Sequence, residues 1–132
     1  MWDGSTDVQD DWGDVIRLAT ASDLDAVVET LVESHIDYVW EEWALPFADR
    51  RARMIRLFST DLRIVGHPHG QIWTAANSTS VAVWVPDRVD ERLGDTDRTL
   101  LADVKQVAFA DRGAILDEVA AVIEAQSLVP AN

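Results

Sequence analysis

The stretch that decides the fold is residues 71–86, Gln-Ile-Trp-Thr-Ala-Ala-Asn-Ser-Thr-Ser-Val-Ala-Val-Trp-Val-Pro. Two runs rich in Val, Ile, Thr and Trp flank the polar cluster Asn77-Ser78-Thr79, a pattern that predicts two antiparallel strands joined by a short turn. The second arm contains no charged residue, since it reads Val81, Ala82, Val83, Trp84 and Val85. A strand that is apolar on both faces is typical of the middle of a sheet, so we expect helices to cover both of its sides.

Length and composition favour a single folded domain. The chain has 132 residues, 48% of them hydrophobic, and no cysteine, which excludes disulfides and thiolate metal sites. No apolar run approaches the roughly 20 residues that a membrane-spanning helix needs. The first residues are acidic and polar, unlike a signal peptide. These features predict a cytoplasmic protein with no membrane partner.

The charge balance is strongly acidic. Twenty-four Asp and Glu face eleven Lys and Arg, for a formal net charge of -13. Such a surface repels nucleic acid and attracts cations. We therefore expect no nucleic-acid partner, and the simplest role of the charge is solubility.

The remaining segments alternate between short strand and helix patterns. Residues 1–13 read as a flexible acidic leader, and residues 14–20 read as a strand with either Val15 or Ile16, together with Leu18, available for burial. Ser22 is the expected N-cap of a helix running to about Trp43. A second helix is predicted from about Ala48, ending at the break of residues 66–70, and two amphipathic helices are predicted over 99–109 and around 115–123.

The predicted order is β-α-α-β-β-α-α, an α+β domain over residues 14–132 with a mixed or antiparallel sheet of about three strands. This order of elements resembles the N-terminal half of a GCN5-related N-acetyltransferase (GNAT). The resemblance is carried by the hairpin and by the segment of residues 15–26, Val-Ile-Arg-Leu-Ala-Thr-Ala-Ser-Asp-Leu-Asp-Ala. The closest likeness is to the puromycin-acetyltransferase branch, which also pairs two Val- and Trp-rich strands. The resemblance covers residues 15–86, and residues 97–128 only in general layout.

The acetyl-CoA site of that family has no counterpart in the sequence. In the family a Gln/Arg-x-x-Gly-x-Gly/Ala turn opens a helix after the fourth strand, where backbone N–H groups receive the pyrophosphate. The six glycines here include no pair two residues apart. We expect no cofactor-binding residues, no acetyl-CoA binding and no catalysis from these 132 residues, although acetyl-CoA is the cofactor of the family.

The resemblance implies acyl transfer from acetyl-CoA to a small-molecule amine if a C-terminal half completes the domain. The alternative is a non-catalytic binding or assembly module. Because a missing fourth strand would leave one strand edge exposed, we expect a homo-oligomer joined along residues 81–85. The catalytic residues stay unassigned.

The densest polar and aromatic cluster is Tyr38-Val39-Trp40-Glu41-Glu42-Trp43. In the family this region lines the acceptor pocket, which makes Tyr38, Glu41, Glu42 and Trp43, together with Trp84, the candidate substrate-binding residues. Aromatic walls and carboxylates suit a planar cation. The alternative is that the tryptophans cap the core while the glutamates are solvated.

The histidines and arginines predict structural roles. His67-Pro68-His69 lacks a third metal ligand at a recognisable spacing and reads as a turn, so no metal is expected. His35 lies on the apolar stripe of the first helix, which predicts a partnered residue at the edge of the core. The arginine-rich helix (Arg50, Arg51, Arg53 and Arg56) is interpreted as a solvated face.

Overall fold

The computed structural model describes residues 16–45 and 48–127. They form a mixed α+β domain with a three-stranded antiparallel sheet, which confirms the predicted fold class at that level. The leader predicted over residues 1–13 lies outside the described residues.

The sheet consists of β1 (Ile16–Leu18), β2 (Gln71–Ala75) and β3 (Ser80–Trp84), in the order β1-β2-β3. β2 pairs with both neighbours, so that Leu18, Trp73 and Ala82 lie in one row across the sheet. Four turn residues, 76–79, join β2 to β3. Within the described residues, β3 therefore forms one edge of the sheet.

The two faces of the sheet have different surroundings. On the inner face Ile72 and Thr74 are buried, and Val81 and Val83 pack against the core. On the outer face Ile16, Leu18 and Trp84 are exposed. The expectation that β3 is covered on both sides was wrong, because Ala82 and Trp84 on its outer face are exposed. Ile16 and Leu18 are exposed as well, contrary to their predicted burial, whereas Val15, the alternative to Ile16, lies outside the described residues.

The first helical region consists of two helices. α1 (Leu24–His35) follows a 3-10 turn in which the Thr20 backbone N–H donates to Asp23 Oδ2 over 2.7 Å, so the helix entry starts at Thr20 rather than at the predicted Ser22. α1 ends because Tyr38 adopts an extended conformation, with φ -76° and ψ 134°. α2 (Val39–Ala44) begins afresh after it. The single helix predicted to reach Trp43 was therefore wrong.

After α3 (Arg50–Asp61) the chain stays helical through His69, so the break predicted over residues 66–70 falls at the last of them, Gly70. The chain continues through a π-helical turn, Leu62–Gly66, and one further helical turn, His67–His69, before Gly70 adopts an extended conformation. The π-helical turn brings Gly66 close to the inner face, where a Cβ would lie 3.5 Å from Val83 Cγ1. Gly66 thus packs against the sheet instead of ending the helix.

The C-terminal half of the described chain holds α4 (Asp95–Phe109) and α5 (Gly113–Ser127). α4 starts four residues earlier than predicted, because Asp95 and Asp97 are favourable in the first turn of a helix. The 3-10 turn Ala110–Arg112 separates the helices, and Gly113 is the first residue of α5.

The core is built by successive helix contacts. α1 packs on the sheet and against α3, and α3 packs in turn against α4. The fully buried side chains at its centre are Val27, Val32, Leu45 and Met54. α5 differs from the other long helices because none of its residues is buried. Within the described ranges, no helix is long and apolar enough to traverse a lipid bilayer.

Candidate functional site

The predicted aromatic and acidic cluster forms a short helix that is anchored at one end. Ala44 and Leu45, at the C-terminal end of α2, are buried in the core. Tyr38, Trp40 and Trp43 remain substantially exposed. This arrangement leaves the tryptophan rings of α2 partly exposed, Trp40 at 48% and Trp43 at 42%.

The two glutamates of α2 differ in environment. Glu42 is exposed, whereas Glu41 is half-buried. The Oε2 atom of Glu41 is itself buried and accepts no hydrogen bond from the described residues. A buried carboxylate oxygen without a donor is unfavourable, so a cation or hydrogen-bond donor at this point would lower the free energy of the site.

Trp43 already has a cation against its ring. The Arg112 guanidinium lies 5.3 Å from the ring centroid, and its Nε donates to the Trp43 carbonyl oxygen over 3.3 Å. The sequence analysis did not identify Arg112. In the sequence Arg112 is visible only as a single basic residue between two apolar helices. Trp43, which it contacts, lies 69 residues away.

Trp40 borders a depression of about 770 Å³ between α2, α4 and α5. Its polar groups are Lys105, Gln106 and Asp117, and its apolar wall includes Phe109 and Leu116. Lys105 is the one lysine in the sequence. The depression therefore presents an aromatic edge, one cation and one carboxylate to solvent.

Trp84 lies elsewhere. It stands at the end of β3, is 68% exposed, and lines a shallow depression with His69, Gln71, Val85, Pro86 and Arg92. The structure therefore brings Tyr38, Glu41, Glu42 and Trp43 together on α2 and its N-cap, and places Trp84 in a separate depression.

The histidines have structural surroundings. His35 is half-buried, meets the Phe58 ring edge-on at 5.5 Å, and its Nδ1 lies 2.7 Å from the Leu31 carbonyl oxygen, which confirms the predicted partnered position. His67 and His69 occupy a helical turn rather than an open turn. The described residues contain no group of three potential metal ligands.

The arginine helix is solvated in part. Arg51 forms ion pairs with Glu29 and Glu33, as expected of a surface residue. Arg53, in contrast, is half-buried, and its Nη1 is buried without a hydrogen-bond partner among the described residues. This difference could not be predicted from the sequence, because it depends on how the helix packs against its neighbours.

The N-terminus of α4 does not suit the pyrophosphate of acetyl-CoA. α4 is the long helix that follows a glycine, Gly94, but its first turn carries Asp95 and Asp97. Carboxylates at that position repel a phosphate from the helix N-terminus, where backbone N–H groups would otherwise attract it. No protein-family model and no curated protein matches the sequence.

Proposed function

We propose that this domain is the acceptor-side half of a GNAT-like N-acetyltransferase fold. In its completed form the fold transfers an acyl group from acetyl-CoA to a small-molecule amine. The observation that supports the proposal is the antiparallel order β1-β2-β3, with helices between β1 and β2 and a direct hairpin between β2 and β3. The free edge of β3 is where the fourth strand of such a fold would pair.

The α2 cluster supplies the acceptor side of this proposal. Tyr38, Trp40 and Trp43 provide exposed aromatic surface, and Glu41 and Glu42 provide negative charge beside it. The Arg112 contact shows that the Trp43 ring accepts a guanidinium within this environment. A protonated arylalkyl amine could bind by the same combination of cation–π and charge attraction.

Calorimetry with 2-phenylethylamine, and with 2-phenylethanol as an uncharged match, tests the acceptor site. We expect the amine to bind in preference to the alcohol. The preference should weaken in the variant Glu41→Gln/Glu42→Gln and strengthen in Arg112→Ala, which frees the Trp43 ring. Equal binding of the two probes would contradict the proposed site.

A separate titration tests the cofactor side. Because Asp95 and Asp97 occupy the first turn after Gly94, we expect no acetyl-CoA binding by the 132-residue chain. Micromolar acetyl-CoA binding would show that the chain carries a cofactor site of its own and would overturn the division into two halves.

The second candidate function is a non-catalytic assembly module that associates through the free β3 edge. It is favoured by the exposure of Ala82 and Trp84 on a strand with no described partner on that side. Light scattering tests it, since a monodisperse monomer would exclude association along residues 81–85.

A further inference from the structure

A groove between α3 and α4 combines an apolar floor with two cations. Val104 and Ala108 are buried at its base, and Val107 is 53% exposed within it. Ala52, Arg53 and Arg56 of α3 form its other wall. The groove therefore offers apolar contact area and positive charge together, in a chain whose net charge is -13.

The two arginines of the groove lack acidic partners among the described residues. The Nη1 atom of Arg53 is buried without a hydrogen bond, and Arg56 is exposed and forms no ion pair there. Arg51, on the same helix, binds Glu29 and Glu33. A buried guanidinium N–H without an acceptor is costly, so a carboxylate docked at the groove would be stabilised by both arginines.

α5 has the complementary surface. Ile115, Val119, Val122 and Ile123 recur at helical spacing and are 43%, 49%, 56% and 60% exposed. The carboxylates of α5 are Asp117, Glu118 and Glu124, and the helix has no basic residue. Glu118 lies three residues after Ile115 and four before Val122, so it borders the apolar stripe.

The groove of the same copy is out of reach for α5 as it stands. The residues of α4 that face α5 across the 770 Å³ depression include Ala102, Lys105 and Gln106, whereas Val104 and Val107 line the groove. At 3.6 residues per turn these two sets fall on opposite sides of α4. α5 can therefore fill the groove only from another molecule.

We propose that α5 of a second copy docks in the groove between α3 and α4. Its apolar stripe covers Val107, and Glu118 beside that stripe binds Arg53 and Arg56, which is a helix-in-groove contact. Reciprocal docking, with each α5 in the other copy's groove, gives a closed two-fold dimer and doubles the buried area. This interface is independent of acyl transfer and does not use the β3 edge.

Paired charge-reversal variants test the proposal in sedimentation velocity. Arg56→Glu alone places a carboxylate against Glu118 of α5, and Glu118→Arg alone places an arginine against the groove. Each variant by itself should associate at least about tenfold more weakly, because like charges then meet at the interface. An equimolar mixture of the two should regain the dimer, because both reciprocal contacts are complementary again.

Control variants separate this interface from loss of folding and from the sheet edge. Val119→Ala/Ile123→Ala removes apolar contact while raising helix propensity, so association should fall with helical content unchanged by circular dichroism. Arg92→Glu has the same charge change as Arg56→Glu but lies outside the groove, and Trp84→Lys alters the end of β3. Both should leave the dimer intact.

Three outcomes would overturn the proposal: an unmodified chain that stays monomeric at every attainable concentration, a dimer that is insensitive to Arg56→Glu, or a mixture of the two charge variants that does not associate. Loss of the dimer in Trp84→Lys alone would instead assign association to the sheet edge. That result would leave the acyl-transfer proposal untouched, because its test measures amine and acetyl-CoA binding.

Discussion

Both the inner and the outer face of the sheet carry large apolar side chains, but the two faces differ in how far those side chains are exposed. Ile72, on the inner face, is buried against α1 and the turn at Gly66. Trp84, on the outer face, is exposed to solvent. Alternation along a strand assigns residues to faces, but only the positions of the helices decide which face is covered. Apolar composition therefore shows that a strand can be buried and does not show that it is.

The largest expected contrast is between the core under the inner face and the exposed outer face. Met54→Ala removes a side chain with 0% exposure, so we expect a loss of about 2–5 kcal/mol in the free energy of unfolding. Trp84→Ala should change it by no more than about 0.5 kcal/mol, as for other surface substitutions. Urea denaturation of both variants measures the difference, and equal losses would mean that the outer face is covered in solution.

The next contrast concerns the end of β3, where Gly70 lets the backbone approach closely. A Cβ at Gly70 would collide with the carbonyl oxygen of Trp84, and with that of Gly66 at 3.0 Å. Backbone atoms cannot move aside as a flexible side chain can, so Gly70→Ala should destabilise the fold by about 1–3 kcal/mol. Gly113→Ala, where no atom lies within 4 Å, is the matched control and should be neutral or slightly stabilising. Thermal denaturation of the pair gives the comparison.

A smaller effect is expected where α1 holds the hairpin turn. The Thr30 hydroxyl donates to the Ser78 carbonyl oxygen, and Ala76, Asn77 and Ser78 all have left-handed φ values between 49° and 65°. Thr30→Val keeps the shape but removes the donor, so we expect a loss of about 1 kcal/mol in chemical denaturation. Thr79→Val, which removes a hydrogen bond within the exposed turn itself, should cost less. An unchanged stability in Thr30→Val would show that the turn holds its conformation without α1.

The smallest effect depends on pH and lies next to β1. The Arg17 guanidinium donates to both Asp23 carboxylate oxygens and, with the Thr20 N–H, lowers the pKa of Asp23. A carboxyl with a lowered pKa stabilises the fold above its unfolded pKa of about 3.9, and this contribution is lost as the pH falls below that value. Asp23→Asn should therefore reduce the acid sensitivity of unfolding below about pH 4.

The control for this pH effect is Asp25→Asn, which removes a surface ion pair with Arg63. Stability profiles from pH 2 to pH 7, about the range over which carboxyls titrate, should differ most from the unmodified chain for Asp23→Asn. If the two variants have the same profile, the Arg17–Asp23 pair has no special role in acid stability.

The sequence predicted the contacts of the candidate site on α2 less well than it predicted the helices and strands. The residues from Tyr38 to Trp43 are neighbours in the chain, so their clustering needed no tertiary information. Arg112 against Trp43 joins residues far apart in sequence, and no periodicity could identify it. The distinction between Arg51, which is ion-paired, and Arg53, which is half-buried, likewise depends on which helix packs beside α3.

By itself the sequence determined the α+β order, the hairpin and the apolar stripes, because spacings of two and of three to four residues are local consequences of strand and helix geometry. The split of the first helix, the π-helical turn and the exposure of Ile16, Leu18 and Trp84 on the outer face were decided by the tertiary structure. Each follows from where the chain packs rather than from its local pattern. The sequence of the hairpin thus predicted a pair of strands. Only the tertiary structure showed that side chains on one face of this pair are exposed and that β3 lies at the edge of the described sheet.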